Sequence, residues 1–463
     1  MTLPAPRIVR RGVLIRNGSS AVNRRARRLC LEAFEAALRA TDPARAVERW
    51  LRIAGGRVQI GNVRPPLNSK IRVIAVGKAS SPMLTAVLNI LGKRVVSGIL
   101  VAPGNSSLKN ADKRIVVFRS SHPLPDEEGV RASRCVLDSI EGMQADELLI
   151  CLISGGASAL LPAPAASITL EDKRTVTRQL IRSRASIHQI NTVRRHLSEL
   201  KGGRLVERCK AGTITSLIIS DVSGNVPSDI ASGMTAADPT TFRDAVNVLE
   251  EFNLWNSAPQ RVRNHLQQGS TGKIPETPKP GNRVFTKVHN FVVADNRTAC
   301  EAARMTLQKN HVPATIVTTS VDMEARSLGK LFASVARDSE QFGGPVKVPG
   351  ALVFGGETTV EVRGNGEGGR NQEVVLSSVE GIDGLNGVAV AALGTDGVDG
   401  NSPTAGAIAD PQTIVRAKRR GLRVHDFAER NDSYNFFRKL NDNIHTGPTG
   451  TNVGDLYLLI RTR

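Results

Sequence analysis

The chain has 463 residues and a formal charge of +19, with 40% hydrophobic residues, 3% aromatic residues and 42 glycines. At about 150 residues per domain, this length accommodates two or three domains with real cores. So few aromatic rings leave little to stack nucleic-acid bases, which argues against a nucleic-acid partner despite the basic balance.

Eight of the 62 basic residues are arginines within the first 28 positions, ahead of the first acidic residue, Glu32. Without them the balance is still +11, 54 basic against 43 acidic, and no dense basic run remains. The excess therefore reads as a general solubility property. Pro4, Pro6 and Gly12 interrupt any early amphipathic helix, so residues 1–26 are expected to form a disordered basic arm. An arginine-rich, acid-poor start is also the composition of a transit peptide. The expected compartment is the cytoplasm, with the mitochondrial matrix as the alternative. Cys30, Cys135, Cys151, Cys209 and Cys300 are scattered and form no CxxC pair, which fits a reducing compartment and no structural zinc.

Beyond the arm, apolar runs alternate with longer amphipathic stretches, the pattern of βαβ units around a mostly parallel sheet. Strands are expected over 71–76, 98–101, 115–118, 147–153 and 214–220, and helices over 170–183 and 186–200. The uncharged stretch 148–170 is long enough to mimic a membrane span, but Gly155, Gly156, Pro162 and Pro164 break it, so no membrane partner is expected. Residues 267–282, with three prolines and three glycines, read as a linker. The alternation then restarts, with strands over 284–293, 314–319, 351–354, 358–362, 388–393 and 456–460 and helices over 296–309, 323–337 and from Arg370. The architecture expected is α/β, with two sheets.

Five of these strands run into turns of small and ligating residues: Lys78 in RVIAVGKAS, then ISGGASAL, SDVSGN, GGETT and GTDGVDGNSPTAG. Open α/β sheets bind ligands at the carboxyl ends of their strands, so the recurrence marks a site. Gly77-Lys78 is not a P-loop, because Arg72 stands where the first glycine belongs and Ala79 follows the lysine. In ISGGASAL, Gly155, Gly156, Ser154 and Ser158 are expected to offer N–H groups and hydroxyls to an anion at a helix N-terminus. Gly364, Gly366 and Gly369 satisfy G-x-G-x-x-G literally, yet the preceding TTVEVR alternates as a half-exposed strand, unlike a buried Rossmann first strand. Arg370 follows at the start of a helix, where its guanidinium could grip a phosphate or carboxylate in bidentate fashion. Asp396 and Asp399 lie three apart among glycines and could serve a sparse Mg²⁺ site; Asp221, ending another strand, is a second candidate ligand or base. The histidines do not cluster, and His122 reads as a surface or structural residue.

The segments ISGGASALLPAP, INTVRRHLSELKGGRL, SLIISDVSGNVPSDIASG, GGETTVEVRGNGEGGRNQE, LGTDGVDGNSPTAGAIAD and HTGPTGTNVGDL resemble, in this order, the glycerate 2-kinase family of the two-domain type with a MOFRL C-terminal region. The resemblance implies ATP-dependent phosphorylation of D-glycerate to 2-phosphoglycerate, with Mg²⁺. It implies a Rossmann-like N-terminal domain over 27–275 and a C-terminal α/β domain over 283–463. The active site would lie in the interdomain cleft, where Lys78 and Arg370 meet. Asn191, Lys201, Gly202, Gly203, Ser154, Asp221, Glu357, Thr358 and Asp396 fall within the family motifs and are carried over as substrate or nucleotide contacts, with Asp221 and Asp396 as the Mg²⁺ ligands. A homodimer is admitted as an assembly. The chain departs from the family pattern at Ser121, Ala157 and Met234, and Ala157 would reshape the backbone if its position required a positive φ. The rival readings are an NAD(P)H-dependent hydroxypyruvate reductase built on the 364–369 glycines and a basic binding protein.

Overall fold

A computed structural model describes residues 7–104 and 112–462. These residues form two compact α/β units, one spanning Pro43–Val293 and the other combining the chain through Asp42 with Ala294 onward.

In the unit Pro43–Val293, a hairpin of β1 (Leu51–Ala54) and β2 (Arg57–Ile60) precedes a six-stranded sheet. The sheet strands are β3 (Ile71–Val76), β4 (Val95–Pro103), β5 (Ile115–Ser120), β6 (Leu148–Ile153), β7 (Thr213–Ile219) and β8 (Val288–Ala294). β6, the sequence LLICLI, is buried at every position, which is why it reads as a continuous apolar run. The spatial order is β5-β4-β3-β6-β7-β8, and the pairings from β5 through β7 are parallel. Counted from β3, this is the doubly wound order 3-2-1-4-5-6, so the chain reverses direction of travel between β3 and β6 and opens a crevice beyond their carboxyl ends. Ile74, Val76, Val101, Cys151, Ile153, Leu200 and Ile218 belong to one core on this sheet. The helices Leu170–Arg182, Ile187–His196, Phe242–Glu251 and Gln260–Ser270 enclose a second one.

Residues 267–282 are not a linker. Thr277 is buried and donates its hydroxyl to Asp238 Oδ2 at 3.0 Å, Asp238 N–H donates to the Pro278 carbonyl, and Glu276 Oε1 accepts from Phe242 N–H at 2.7 Å. The prolines here stiffen a packed segment rather than a flexible one. The chain passes between units at Asp42 and at Val293 instead.

In the other unit, the sheet comprises β9 (Ala314–Val321), β10 (Gly350–Gly356), β11 (Val388–Gly394), β12 (Gly406–Ala409), β13 (Asn443–Ile444) and β14 (Asp455–Arg461). Its order is β13-β12-β11-β14-β10-β9. Only β9 and β10 pair in parallel; the other neighbours are antiparallel, so this sheet is mixed where a mostly parallel one is expected. The cause is β14, which inserts between β10 and β11 and runs against both. The expected strand at 358–362 is absent: Thr358 is buried, Val362 is exposed, and the stretch carries only an isolated bridge at Thr359.

The expected disordered arm is corrected as well, apart from residues 1–6, which lie outside the described residues. Helices Arg11–Arg16 and Ala21–Ala40 are folded, and Ser20 caps the second by accepting from Asn23 N–H. Gly12 sits within the first helix without breaking it. The reason lies almost four hundred residues away. Arg27 is fully buried and donates Nε to Asp410 Oδ2 at 2.6 Å, Nη1 to Asp442 Oδ1 at 2.8 Å, and Nη1 again to the Leu14 carbonyl at 3.0 Å. Burial opposes its charge, but Asp442 and Asp410 outweigh burial and hold the guanidinium protonated. No helix among the described residues is long and apolar enough to cross a membrane.

Removing one member of a buried charge cluster leaves the others without compensation. Arg27→Met should therefore destabilise the protein by about 3–5 kcal/mol, read as a lower urea midpoint at neutral pH. An unchanged midpoint would mean that the N-terminal helices do not depend on Arg27 for docking.

Candidate active site

Lys78 stands at the carboxyl end of β3, half-buried, and its backbone is fixed by β6. Lys78 N–H donates to the Gly155 carbonyl at 2.9 Å, Ala79 N–H to Ser154 Oγ at 3.0 Å, and Ser154 N–H to the Val76 carbonyl at 3.0 Å. Gly77 adopts φ 123°, and a Cβ there would lie 2.2 Å from Ser154 Oγ and 2.5 Å from its carbonyl oxygen, so no side chain fits. The lysine is therefore presented at the crevice by a junction of two adjacent strands rather than by a phosphate loop.

ISGGASAL differs from its expected role. The helix that follows the turn is a single turn, Ala157–Leu160, too short to act as an anion-binding terminus, and both serines are engaged within the protein. Ser154 holds the junction just described. Ser158 Oγ meets Ser232 Oγ at 2.8 Å, Ser232 donates to Asn191 Oδ1 at 2.8 Å, and Asn191 Nδ2 donates to the Asp229 carbonyl at 3.0 Å. Asn191 thus positions the 229–232 segment. Gly156 takes the positive φ, 87°, while Ala157 is an ordinary helical residue, so its departure from the family pattern leaves the backbone intact. Met234 fills the core and does not loosen a loop. Gly202 and Gly203 also sit at positive φ and donate their N–H groups to the carbonyls of Ser232 and Gly233.

Lys201 is buried, with Nζ donating to the Leu161 carbonyl at 3.1 Å. Burial, then the charge of Arg194, pushes its ammonium down to about 7. Lys173 lies alongside, with Nζ on the Pro162 carbonyl, and is held well below the ordinary lysine range by burial, then Lys201 and Arg194. His122 is an exposed ring laid against Gly156, where an added Cβ would meet its Cδ2 at 3.0 Å. Lost hydration, Lys78 and Arg194 hold it below the ordinary imidazole range. Arg194 is pushed down to about 10 by burial alone. Asp221, half-buried, follows β7 on the same edge of the sheet. Sequence reasoning missed Arg194 and Lys173; it read His122 as surface or structural, and the ring is exposed. The tandem arginines of INTVRRHL were the available signal, but nothing in the sequence says which of the two is buried against acids.

In the other unit, the ends of β10 and β11 converge on the start of β14, where Asp455 is in register with Gly356 and with Gly394. Arg370 opens the helix Arg370–Ser378 and directs Nε and Nη2 to Asp455 and Nη1 and Nη2 to Glu357, the latter at 3.0–3.1 Å. The fork expected to be open to substrate is thus filled by two carboxylates. Burial works against the arginine's charge, and Asp455 and Glu357 override it. Asp455 is itself raised by burial, against the pull of Arg370, and accepts from Tyr457 OH at 3.0 Å; that hydroxyl in turn accepts from Thr358 N–H at 3.0 Å. Asp455 escaped the sequence reading because it begins the last strand one residue before the apolar run.

Asp399, considered with Asp396 as a metal ligand, is instead the anchor of that helix. It is buried and accepts from the N–H groups of Asn371 and Gln372 at 3.0 and 2.9 Å, and burial raises its carboxyl to about 6. Asp396 is half-buried and accepts from Val398 N–H at 3.1 Å. The 364–369 glycines follow no strand. Gly364 N–H donates to Asn431 Oδ1 at 3.0 Å and Gly366 N–H to the Arg430 carbonyl at 2.8 Å, so the loop is tied to its own unit and lacks the setting of a dinucleotide fingerprint. No group of three or more acidic, histidine or cysteine side chains suited to a metal occurs among the described residues.

A native lysine pKa near 7 lies below its unfolded value of about 10.4, so between these limits the unfolded chain holds the extra proton and stability rises with pH. Lys201→Met should remove a rise of up to about 1.4 kcal/mol per pH unit across that window, measured as the difference in unfolding free energy between variant and parent. Lys173 contributes in the same direction and is present in both.

Comparison with known proteins bears on this geometry. Residues 29–267 match a domain of unknown function, DUF4147, and residues 350–455 match the MOFRL family. The chain is 38% identical to glycerate 2-kinase of Pyrococcus horikoshii, over 94% of this chain and 97% of that protein. It is 36% identical to D-glycerate 2-kinase of Thermotoga maritima, over 93% and 97%. The crystal structure of glycerate kinase from Thermotoga maritima superposes with a TM-score of 0.82 at 34% identity, covering 94% of this chain and 98% of that one.

Proposed function

The chain belongs to the glycerate 2-kinase family, and on that premise we propose that it transfers the γ-phosphoryl group of ATP to the C2 hydroxyl of D-glycerate, giving 2-phosphoglycerate and ADP. The observation that carries this reading is the place of Lys78, fixed at the doubly wound switch point where it and Arg194 both act on His122. Phosphoryl transfer asks a protein mainly to align donor and acceptor and to neutralise charge on the equatorial oxygens. In the step, the hydroxyl oxygen forms a bond to the γ-phosphorus as the bond to the β–γ bridging oxygen breaks. The departing electron pair stays on ADP. The hydroxyl proton passes to a carboxylate, a role we assign to Asp221 on the same sheet edge as Lys78, and then to water.

Mg²⁺ fits the donor set as a sparsely held ion. The half-buried carboxylates Asp221 and Asp396 offer hard oxygens, and Mg²⁺ usually keeps its waters and takes one or two carboxylates with the nucleotide phosphates. When bound, it would offset charge on the transferring phosphates. Arg370 is proposed to serve the same reaction, with Glu357, the more exposed of its two partners, the first to give way to an incoming anion. Gly202, Gly203 and Thr358 shape the backbone around these groups, and Ser154 and Asn191 position it.

The reductase reading loses its main support, because the 364–369 glycines lack a preceding strand. Incubation with ATP, Mg²⁺ and D-glycerate, followed by enolase without phosphoglycerate mutase, should yield phosphoenolpyruvate directly. A signal that requires the mutase would assign transfer to the C3 hydroxyl, and NADH oxidation with hydroxypyruvate without ATP-dependent turnover would overturn the kinase reading. Lys78→Met should lower kcat/KM by about 10²–10³-fold, the scale of losing one stabiliser of transition-state charge, with an unchanged melting profile.

A further inference from the structure

Helix Ile187–His196 carries two consecutive arginines with opposite surroundings. Arg195 is buried and ion-paired to Asp229 and, at 2.9 Å, to Asp238, with Thr240 close by. That is how this fold accommodates a structural arginine. Arg194, one residue earlier and half-buried, makes no hydrogen bond or ion pair with any described residue, and no carboxylate perturbs it. The charged or titratable groups that feel it are His122, Lys173 and Lys201, and Lys78 in turn acts on His122.

Arg194, Lys173, Lys201 and the His122 imidazole lie together with no carboxylate among the influences on any of the four, an unfavourable grouping because like charges close together disfavour one another's ionised forms. Lys173 and Lys201 direct their ammonium groups to the backbone carbonyls of Pro162 and Leu161, which leaves Arg194 as the member whose donors are uncommitted. A guanidinium stays charged at neutral pH despite partial burial and offers a planar fork matched to two oxygens of one oxyanion.

We propose that Arg194 is the fixed oxyanion anchor of this unit, gripping a phosphate or carboxylate group of a substrate, with Lys78 adding charge and His122 a neutral ring nitrogen. The inference rests on the kinase reading for the identity of the ligand, since both ATP phosphates and the glycerate carboxylate have the required chemistry.

The test uses the full chain and the variants Arg194→Gln and Arg194→Lys, titrated calorimetrically with inorganic tripolyphosphate and separately with D-glycerate, alongside the KM for each substrate. Parent protein should bind at least one of the two. Arg194→Gln should lose that binding by tenfold or more while melting no lower than the parent without ligand, because it relieves like-charge crowding. Arg194→Lys should recover part of the affinity, as a point charge without the fork. A rise confined to tripolyphosphate Kd and ATP KM assigns the group to phosphate; a rise confined to glycerate assigns it to carboxylate. Parent protein that binds neither ion, or Arg194→Gln binding both within twofold of parent, would overturn the proposal. If Arg194→Gln does not fold, Arg194→Met takes its place under the same thresholds. Parent protein that binds the ions through Arg194 but transfers no phosphoryl group would leave the anchor standing and defeat the kinase reading.

Discussion

The site depends on one steric constraint, the close approach of β3 and β6 where they end. A side chain at Gly77 would collide with the Ser154 hydroxyl and carbonyl, and only because that space is empty can Ser154 receive Ala79 N–H and Gly155 receive Lys78 N–H. Those bonds set the Lys78 backbone relative to the Gly155–Gly156 turn, and the turn in turn seats the His122 ring. The network from Ser158 through Ser232 to Asn191 then ties helix Ile187–His196 to the same turn, and that helix carries Arg194. Residues that resemble ligand contacts in the sequence, two serines and an asparagine, prove to be the frame on which the cations are mounted.

The other unit gathers charge of the opposite balance by a comparable device. Insertion of β14 between β10 and β11 puts Asp455 in register with both strand ends, and Arg370 is held there by Asp455 and Glu357, while Asp399 secures the start of its helix. One unit presents Arg194 without a carboxylate partner among the described residues, and the other an arginine already supplied with two. That contrast sets Arg194 apart from Arg370.

Much of the fold was legible because parallel strands buried on both faces leave continuous apolar runs: β3 was read to its observed ends and β6 to within one residue. The failures share a physical cause, long-range partners overriding local signals. Gly12 and the arginine density of the first 28 residues argue for disorder locally, yet Arg27 finds Asp410 and Asp442 from the far end of the chain. The prolines of 267–282 look like linker chemistry until Thr277 and Glu276 are seen bonded to the helical layer. TTVEVR alternates like a strand but pairs only through an isolated bridge from Thr359 to Glu324. Within the site, Lys78 and Asp221 were legible as strand-end residues. Arg194 was not, because it and Arg195 are identical in sequence and differ only in which face of one helix turns toward Asp229 and Asp238.

A crystal structure of the full chain with D-glycerate and an ATP analogue that cannot transfer its γ-phosphate tests the central claim most directly. The account predicts phosphate or carboxylate oxygens within about 2.7–3.2 Å of Lys78 Nζ, over the Gly155–Gly156 turn at the ends of β3 and β6. Both ligands seated elsewhere, with Lys78 touching neither, would contradict it.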